Sequence, residues 1–186
     1  VDAAARSAGR SPDEVTIVAV SKKHLAAAVL EAARAGVVDV GENYVQELVA
    51  KRAEVGAEAA LRWHFIGRLQ RNKARDVGGR VELVHAVDTA ALAAELGTLA
   101  AAAGTVQAIL LAVNVAGEAS KGGVAPDEVA ALLAAIADLP GVRVDGLMTI
   151  PPPAEDPEAS RPYFAMTRAL RDGLATPARP LPILSM

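Results

Sequence analysis

Seven short apolar runs, each followed by a helix-forming stretch or a turn, constrain this chain more than any other feature. They occupy residues 15–20, 37–40, 63–66, 83–87, 106–115, 142–150 and 181–185. The runs are strand-sized and continuously apolar, which is the pattern of strands covered on both faces. The segments between them carry helix punctuation. The stretch 24–35 ends at Gly36, and Asp88-Thr89 caps a run to about residue 103. Pro126-Asp127-Glu128 puts proline in a first turn, and residues 158–174 make the last helix. A helix over 44–58 follows Asn43, whose spacing to Gln46 resembles a capping box. Strands alternating with helices build a parallel sheet covered by helices. A doubly wound sheet and a barrel both satisfy that pattern. The doubly wound form needs a glycine fingerprint after the first strand, and the turn there reads Ser21-Lys22-Lys23-His24. The expected fold is therefore α/β, a (β/α)8 TIM-type barrel. A full barrel takes roughly 250 residues, so the last β/α unit is expected to be absent from this sequence.

Composition narrows the class. With 186 residues, 52% of them hydrophobic, the chain can bury one substantial core, and residues 1–186 are expected to form a single domain. The net charge is −3 and the basic residues are dispersed, unlike a nucleic-acid-binding face. There is no cysteine, hence no disulfide scaffold and no thiolate chemistry. No apolar run reaches the ~20 residues of a membrane helix. Asp2, Arg6 and Arg10 break any signal-peptide pattern, leaving the cytoplasm as the expected location.

Polar residues gather where strands end. Lys22, Gly41-Glu42-Asn43, Gly67, Asn114 and Thr149 sit at or just past carboxyl ends of runs, the rim that carries ligands in parallel βα folds. Lys22 follows the run 15–20 and by alternation shares a face with Val18 and Val20. A lysine continuing an inward row is partly desolvated, which favours the neutral, nucleophilic amine. A solvated surface lysine gives the same spacing, and Lys23 is expected to face outward. The histidines, His24, His64 and His85, lack helical metal-ligand spacing, and no serine–histidine–acid arrangement is evident.

Four motifs in order carry a resemblance. Ala19-Val20-Ser21-Lys22, Gly41-Glu42-Asn43-Tyr44-Val45-Gln46-Glu47, Trp63-His64-Phe65-Ile66-Gly67 with Leu69-Gln70 and Asn72-Lys73, and Gly146-Leu147-Met148 resemble the YggS/PROSC family of pyridoxal phosphate homeostasis proteins. The resemblance implies a single-domain barrel like the alanine racemase N-terminal domain. It also implies binding of pyridoxal 5′-phosphate (PLP) as a Schiff base on Lys22, and a non-enzymatic carrier role in vitamin B6 and amino-acid homeostasis. A monomer that meets PLP-dependent apoenzymes transiently is implied as well. Matched residue by residue, Asn43 is the pocket asparagine, although a helix N-cap is an equal reading. His64 corresponds to a cofactor contact or a satisfied core histidine. Met148 packs on the cofactor ring, or is simply a buried strand methionine. Ser185 begins the family's Ser-x-Gly-Met-Ser segment, which helps hold the phosphate. Ser120-Lys121-Gly122 resembles the lysine–glycine loop after the fifth strand, and a solvated loop lysine explains it equally.

Two departures stand out. Lys23-His24 replaces the usual threonine-containing continuation, which changes the charge beside the imine lysine. The sequence also stops at Met186, where the family continues into a phosphate loop, an eighth strand and a last helix. The natural protein is expected to extend further, with most of the phosphate cradle there. Two other readings remain open: a PLP-dependent amino-acid racemase, and a barrel that binds another ligand or only a protein partner. The racemase reading is disfavoured because Tyr44 and Tyr163 both fall in helical stretches.

Overall fold

The computed structural model describes residues 1–118 and 122–186. A short helix α1 (Asp2–Ser7) precedes the expected succession of strands and helices. It runs β1 (Val18–Val20), α2 (Ala26–Arg34), β2 (Asp39–Glu42), α3 (Val45–Val55), β3 (Arg62–Phe65), β4 (Leu83–Val87) and α4 (Ala90–Ala102). It continues through β5 (Gln107–Ala112), α5 (Val129–Ala135), β6 (Val142–Met148), α6 (Arg161–Leu174) and β7 (Ile183–Ser185). A 3₁₀ segment, Arg71–Asp76, stands between β3 and β4.

All seven strands pair in parallel and in sequence order, from β1 at one edge to β7 at the other. In a flat sheet, β4 and β7 would stand about 14 Å apart, three spacings of ~4.8 Å. Yet His85 on β4 and Ser185 on β7 meet through a 2.8 Å hydrogen bond. The sheet is therefore strongly curled, with one face turned in on itself.

Two apolar clusters follow from that curl. The larger lies between sheet and helices and includes Leu48, Phe65, Val84, Leu96, Ile109, Leu111, Ile136 and Leu147. The smaller lies on the concave face, where Leu83, Ala108, Leu110, Ala112 and Met148 meet. Gly97 in α4 and Gly146 in β6 permit close backbone approaches. A Cβ on Gly97 would stand 2.4 Å from the Pro140 carbonyl oxygen, and one on Gly146 1.8 Å from that of Ile183.

The strands are shorter than the apolar runs, and β2 is displaced toward its polar end. Val37 and Val38 fall outside it, while Asp39 and Glu42 lie inside and are buried. A buried carboxylate is tolerated only with partners, and both have them. The side chain of Thr89 caps α4, accepting from the Leu92 N–H. Asn43 does not cap α3: the N-cap is Tyr44, and no side chain bonds there. The expected capping box is thus not formed, because extended backbone continues one residue further before the helix turns.

Candidate active-site rim and the polar interior

Lys22 lies in the turn that follows β1. The Ser21 N–H still donates to the Gly41 carbonyl, so sheet pairing runs one residue past the strand. Val18 and Gly41 share the concave face with Ile66, since a Cβ on Gly41 would touch side-chain atoms of both. Lys22 follows β1 and Asn43 follows β2, the two neighbouring parallel strands. Ser21 points the other way, into the helix layer. Its hydroxyl donates to Glu42 Oε1 at 2.6 Å.

Three groups anchor this turn from behind. The Lys51 ammonium, on α3, donates to the Ser21 carbonyl at 2.6 Å, to Glu42 Oε1 at 2.5 Å and to Glu47 Oε2 at 2.8 Å. Glu47 Oε2 also accepts from the Lys23 N–H at 2.8 Å. Lys23 has a left-handed φ of 64° there, an uncommon conformation for a residue with a side chain. Burial acts to lower the Lys51 pKa, but the hydrogen bonds it donates to Glu42 and Glu47 outweigh it and raise it. Glu47 is pulled below its ordinary value by the Lys51 hydrogen bond and then by the Lys23 N–H. Both chain neighbours of Lys22 are therefore fixed behind the sheet. Among the described residues, neither the Lys22 amine nor the Asn43 side chain has a hydrogen-bond or ion-pair partner. The Lys22 side chain is exposed, not desolvated as the alternation suggested. The physical reason is that β1 is an edge strand, with no neighbour along its outer side.

The concave face also holds a polar chain that the apolar runs did not announce. Arg62 grips Asp39 with two bonds, Nε to Oδ1 at 2.7 Å and Nη2 to Oδ2 at 2.6 Å. Asp39 Oδ1 lies 2.9 Å from His64 Nε2, and His64 Nδ1 lies 3.0 Å from His85 Nε2. His85 Nδ1 lies 2.8 Å from Ser185 Oγ. Asp39, His64 and His85 are each 5% exposed. Hydrogen bonds from Arg62, then from His64, hold the Asp39 carboxyl below its ordinary range despite burial. Burial, with the neighbouring His64, lowers the His85 pKa to about 4. The signal for this chain was present in the period-two spacing of Arg62 with His64.

Met148 is buried on the concave face and pairs with Ser185 across β6 and β7. It also lines an open cavity of about 190 Å³ at the rim, together with Ile66, Ala86, Ala112 and Asn114. Asn114 closes its own loop by bonds to and from the Glu118 backbone. The Thr149 hydroxyl donates to the Val113 carbonyl. His64, His85 and Ser185 are thus joined, Met148 adjoins them, and Lys22 and Asn43 stand just past the ends of β1 and β2. Ser120 and Lys121 lie outside the described residues, and no group of metal-ligating side chains occurs among the described ones.

Comparison with known proteins places this geometry. The family model for the alanine racemase N-terminal domain matches residues 3–186. A pyridoxal phosphate homeostasis protein of Pseudomonas aeruginosa is 46% identical over 167 residues, spanning 90% of this chain and 72% of that protein. The chain belongs to the pyridoxal phosphate homeostasis protein family. Within that family, PipY of Synechococcus elongatus, solved with PLP bound, superimposes with a TM-score of 0.82 at 34% identity, covering 98% of this chain and 86% of PipY. An alanine racemase of Clostridium difficile shares the fold, with a TM-score of 0.72 at 15% identity, covering 92% of this chain and 46% of the racemase. The family resemblance carried by the four motifs therefore holds, and the α/β fold is that of the alanine racemase N-terminal domain.

Proposed function

We propose that this chain binds PLP through Lys22 and serves as a carrier in PLP homeostasis, without turning over a substrate of its own. The observation that carries the reading is the Lys22 turn: a primary amine without a partner, at the strand-end rim, between two residues pinned by Lys51 and Glu47. The residues present fit the cofactor. Lys22 supplies an amine for its aldehyde, the Asn43 amide is free to donate and accept, and Ile66, Ala112 and Met148 form an apolar wall for its ring. Ser185 is assigned to the phosphate end, where phosphate sites of such folds lie after the last strands. His64 acts behind these groups, since both its ring nitrogens are already engaged. When bound, PLP supplies a reactive aldehyde that can pass from one amine to another.

The seven-stranded curl is read as the larger part of a (β/α)8 barrel, with residues 1–186 as one PLP-binding unit. The free edges of β1 and β7 are what an eighth unit would pair. A monomer in the cytoplasm that hands PLP to apoenzymes by brief encounters fits the exposed rim. Of the two tyrosines, Tyr163 packs against the core from α6, and Tyr44, expected within a helix, is the exposed N-cap of α3. Addition of PLP to the protein should give a visible absorption band that borohydride removes. In Lys22→Ala that band should not form, and an unchanged spectrum in the variant would refute the assignment.

A further inference from the structure

The chain bends at Lys22 in a way its own residues do not favour. The His24 N–H donates to the Ser21 carbonyl at 3.0 Å, which closes a four-residue turn with Lys22 and Lys23 at its centre. Lys23 is left-handed, with a φ of 64°, and Lys22 is not among the residues of positive φ. That is the pattern of a type II turn, whose second central position suits glycine or asparagine. A lysine keeps that conformation only where its surroundings impose it.

The surroundings do impose it. Besides the His24 N–H, the Ser21 carbonyl accepts from the Lys51 ammonium, and the Ser21 hydroxyl donates to Glu42. The Lys23 N–H donates to Glu47 Oε2 at 2.8 Å, and the same oxygen accepts from Lys51. Glu47 and Lys51 stand four residues apart on α3, hence on one face of it. That helix is itself fixed by Val45, Leu48 and Val55 in the core. The turn is thus referenced to α3 and to the buried Glu42 of β2, and not to β1, which is three residues long and free along one edge. The Lys23 side chain, by contrast, is exposed, and its ammonium forms no hydrogen bond or ion pair among the described residues.

We infer that Lys23, through its left-handed backbone, and Glu47, as the acceptor that holds it, are positioning residues for attachment of PLP at Lys22. The inference rests on the reading of Lys22 as the residue that takes the aldehyde. Attachment forms a C=N bond between the Lys22 nitrogen and the aldehyde carbon, and the aldehyde oxygen leaves as water. For an aldehyde already docked, the yield of that bond depends on how closely the amine is held to the right point. A turn released from Glu47, or one whose second residue rejects positive φ, relaxes and carries the amine away. Lys23 therefore acts by conformation and not by its charge. Glu47 acts as a hydrogen-bond acceptor, a role that a neutral amide oxygen can also fill.

The test is PLP titration of the full chain, read by the visible band, in two pairs of variants. A β-branched residue at positive φ is a genuine outlier, so Lys23→Val should weaken PLP attachment about tenfold. Lys23→Gly, which accepts the turn and also lacks the charge, should stay within about twofold of the wild type. Glu47→Ala should weaken attachment about tenfold, and Glu47→Gln should recover most of that loss. At saturating PLP, the visible circular dichroism per bound PLP should fall in Lys23→Val and Glu47→Ala and be kept in their partners. A merely destabilised fold would lower the bound fraction without changing that signal. Urea midpoints confirm that each variant is folded under the conditions of the titration. The inference is overturned if Lys23→Val and Glu47→Ala bind like the wild type. It is overturned equally if Lys23→Gly loses as much as Lys23→Val, or Glu47→Gln as much as Glu47→Ala. No band in the wild type, or an unchanged band in Lys22→Ala, would sink the reading of Lys22 and this inference with it. A band that needs Lys22 but is indifferent to Lys23 and Glu47 would sink this inference alone.

Discussion

At the scale of single residues, Lys22 is selected by what holds its neighbours. Ser21 and Lys23 are both tied to the α3 side of the sheet, so the residue between them is left facing the rim. The knot of that arrangement is the Lys51 ammonium against the fully buried Glu42. Removing one partner of a buried pair strands the other charge, at about 3–5 kcal/mol. Lys51→Met should therefore lose stability by roughly that amount in urea unfolding, and adding Glu42→Gln should restore a large part of it. If the double variant were no more stable than the single one, the pairing would not be the source of the loss. His85 makes a second prediction. Its pKa is lowered from 6.5 to about 4, so below pH 6.5 the unfolded chain binds the proton first. The stability His85 contributes is present above pH 6.5 and is lost as pH falls toward 4. The whole effect is at most about 3.5 kcal/mol at ~1.4 kcal/mol per pH unit. Urea midpoints across this range should fall less steeply for His85→Asn than for the wild type.

At the scale of elements, close packing overrides intrinsic preference. Alanine is the better helix former than glycine by about 1 kcal/mol, so an isolated α4 would gain from Gly97→Ala. In the fold, the new methyl meets the Pro140 carbonyl oxygen at 2.4 Å, where the chain enters β6. Overpacking against backbone typically costs about 1–3 kcal/mol. The net expectation is a lower melting temperature for Gly97→Ala, and a rise would show that the α4–β6 approach is looser than described. Strand boundaries obey the same tertiary logic. The pattern of apolar runs announced seven strands in the right order, because residues covered on both faces leave an unmistakable trace. It misplaced β2 by two residues, since Asp39 and Glu42 look like loop residues until Arg62, His64 and Lys51 supply their partners. Those partners lie up to 25 residues away in sequence, beyond the reach of a local pattern.

At the scale of the whole molecule, the curl of the sheet turns seven local pieces into a site. It brings β4 against β7, joins two histidines to a serine one hundred residues from the second of them, and leaves the β1 edge open beside Lys22. The lysine was legible in the sequence because it closes an apolar strand within a recognisable motif. Its exposure was not legible, because that depends on which strand lies at an edge. The histidine chain was half legible: the period-two polar spacing was there, but only the curl makes it continuous. The central claim is that PLP attaches to Lys22 and not to its neighbour Lys23, whose backbone is pinned by Glu47. The direct measurement is mass-spectrometric mapping of peptides after borohydride reduction of the PLP-loaded protein. The account predicts the phosphopyridoxyl adduct on Lys22 alone at one equivalent of PLP. An adduct on Lys23, or spread over the surface lysines with no preference for Lys22, would contradict it.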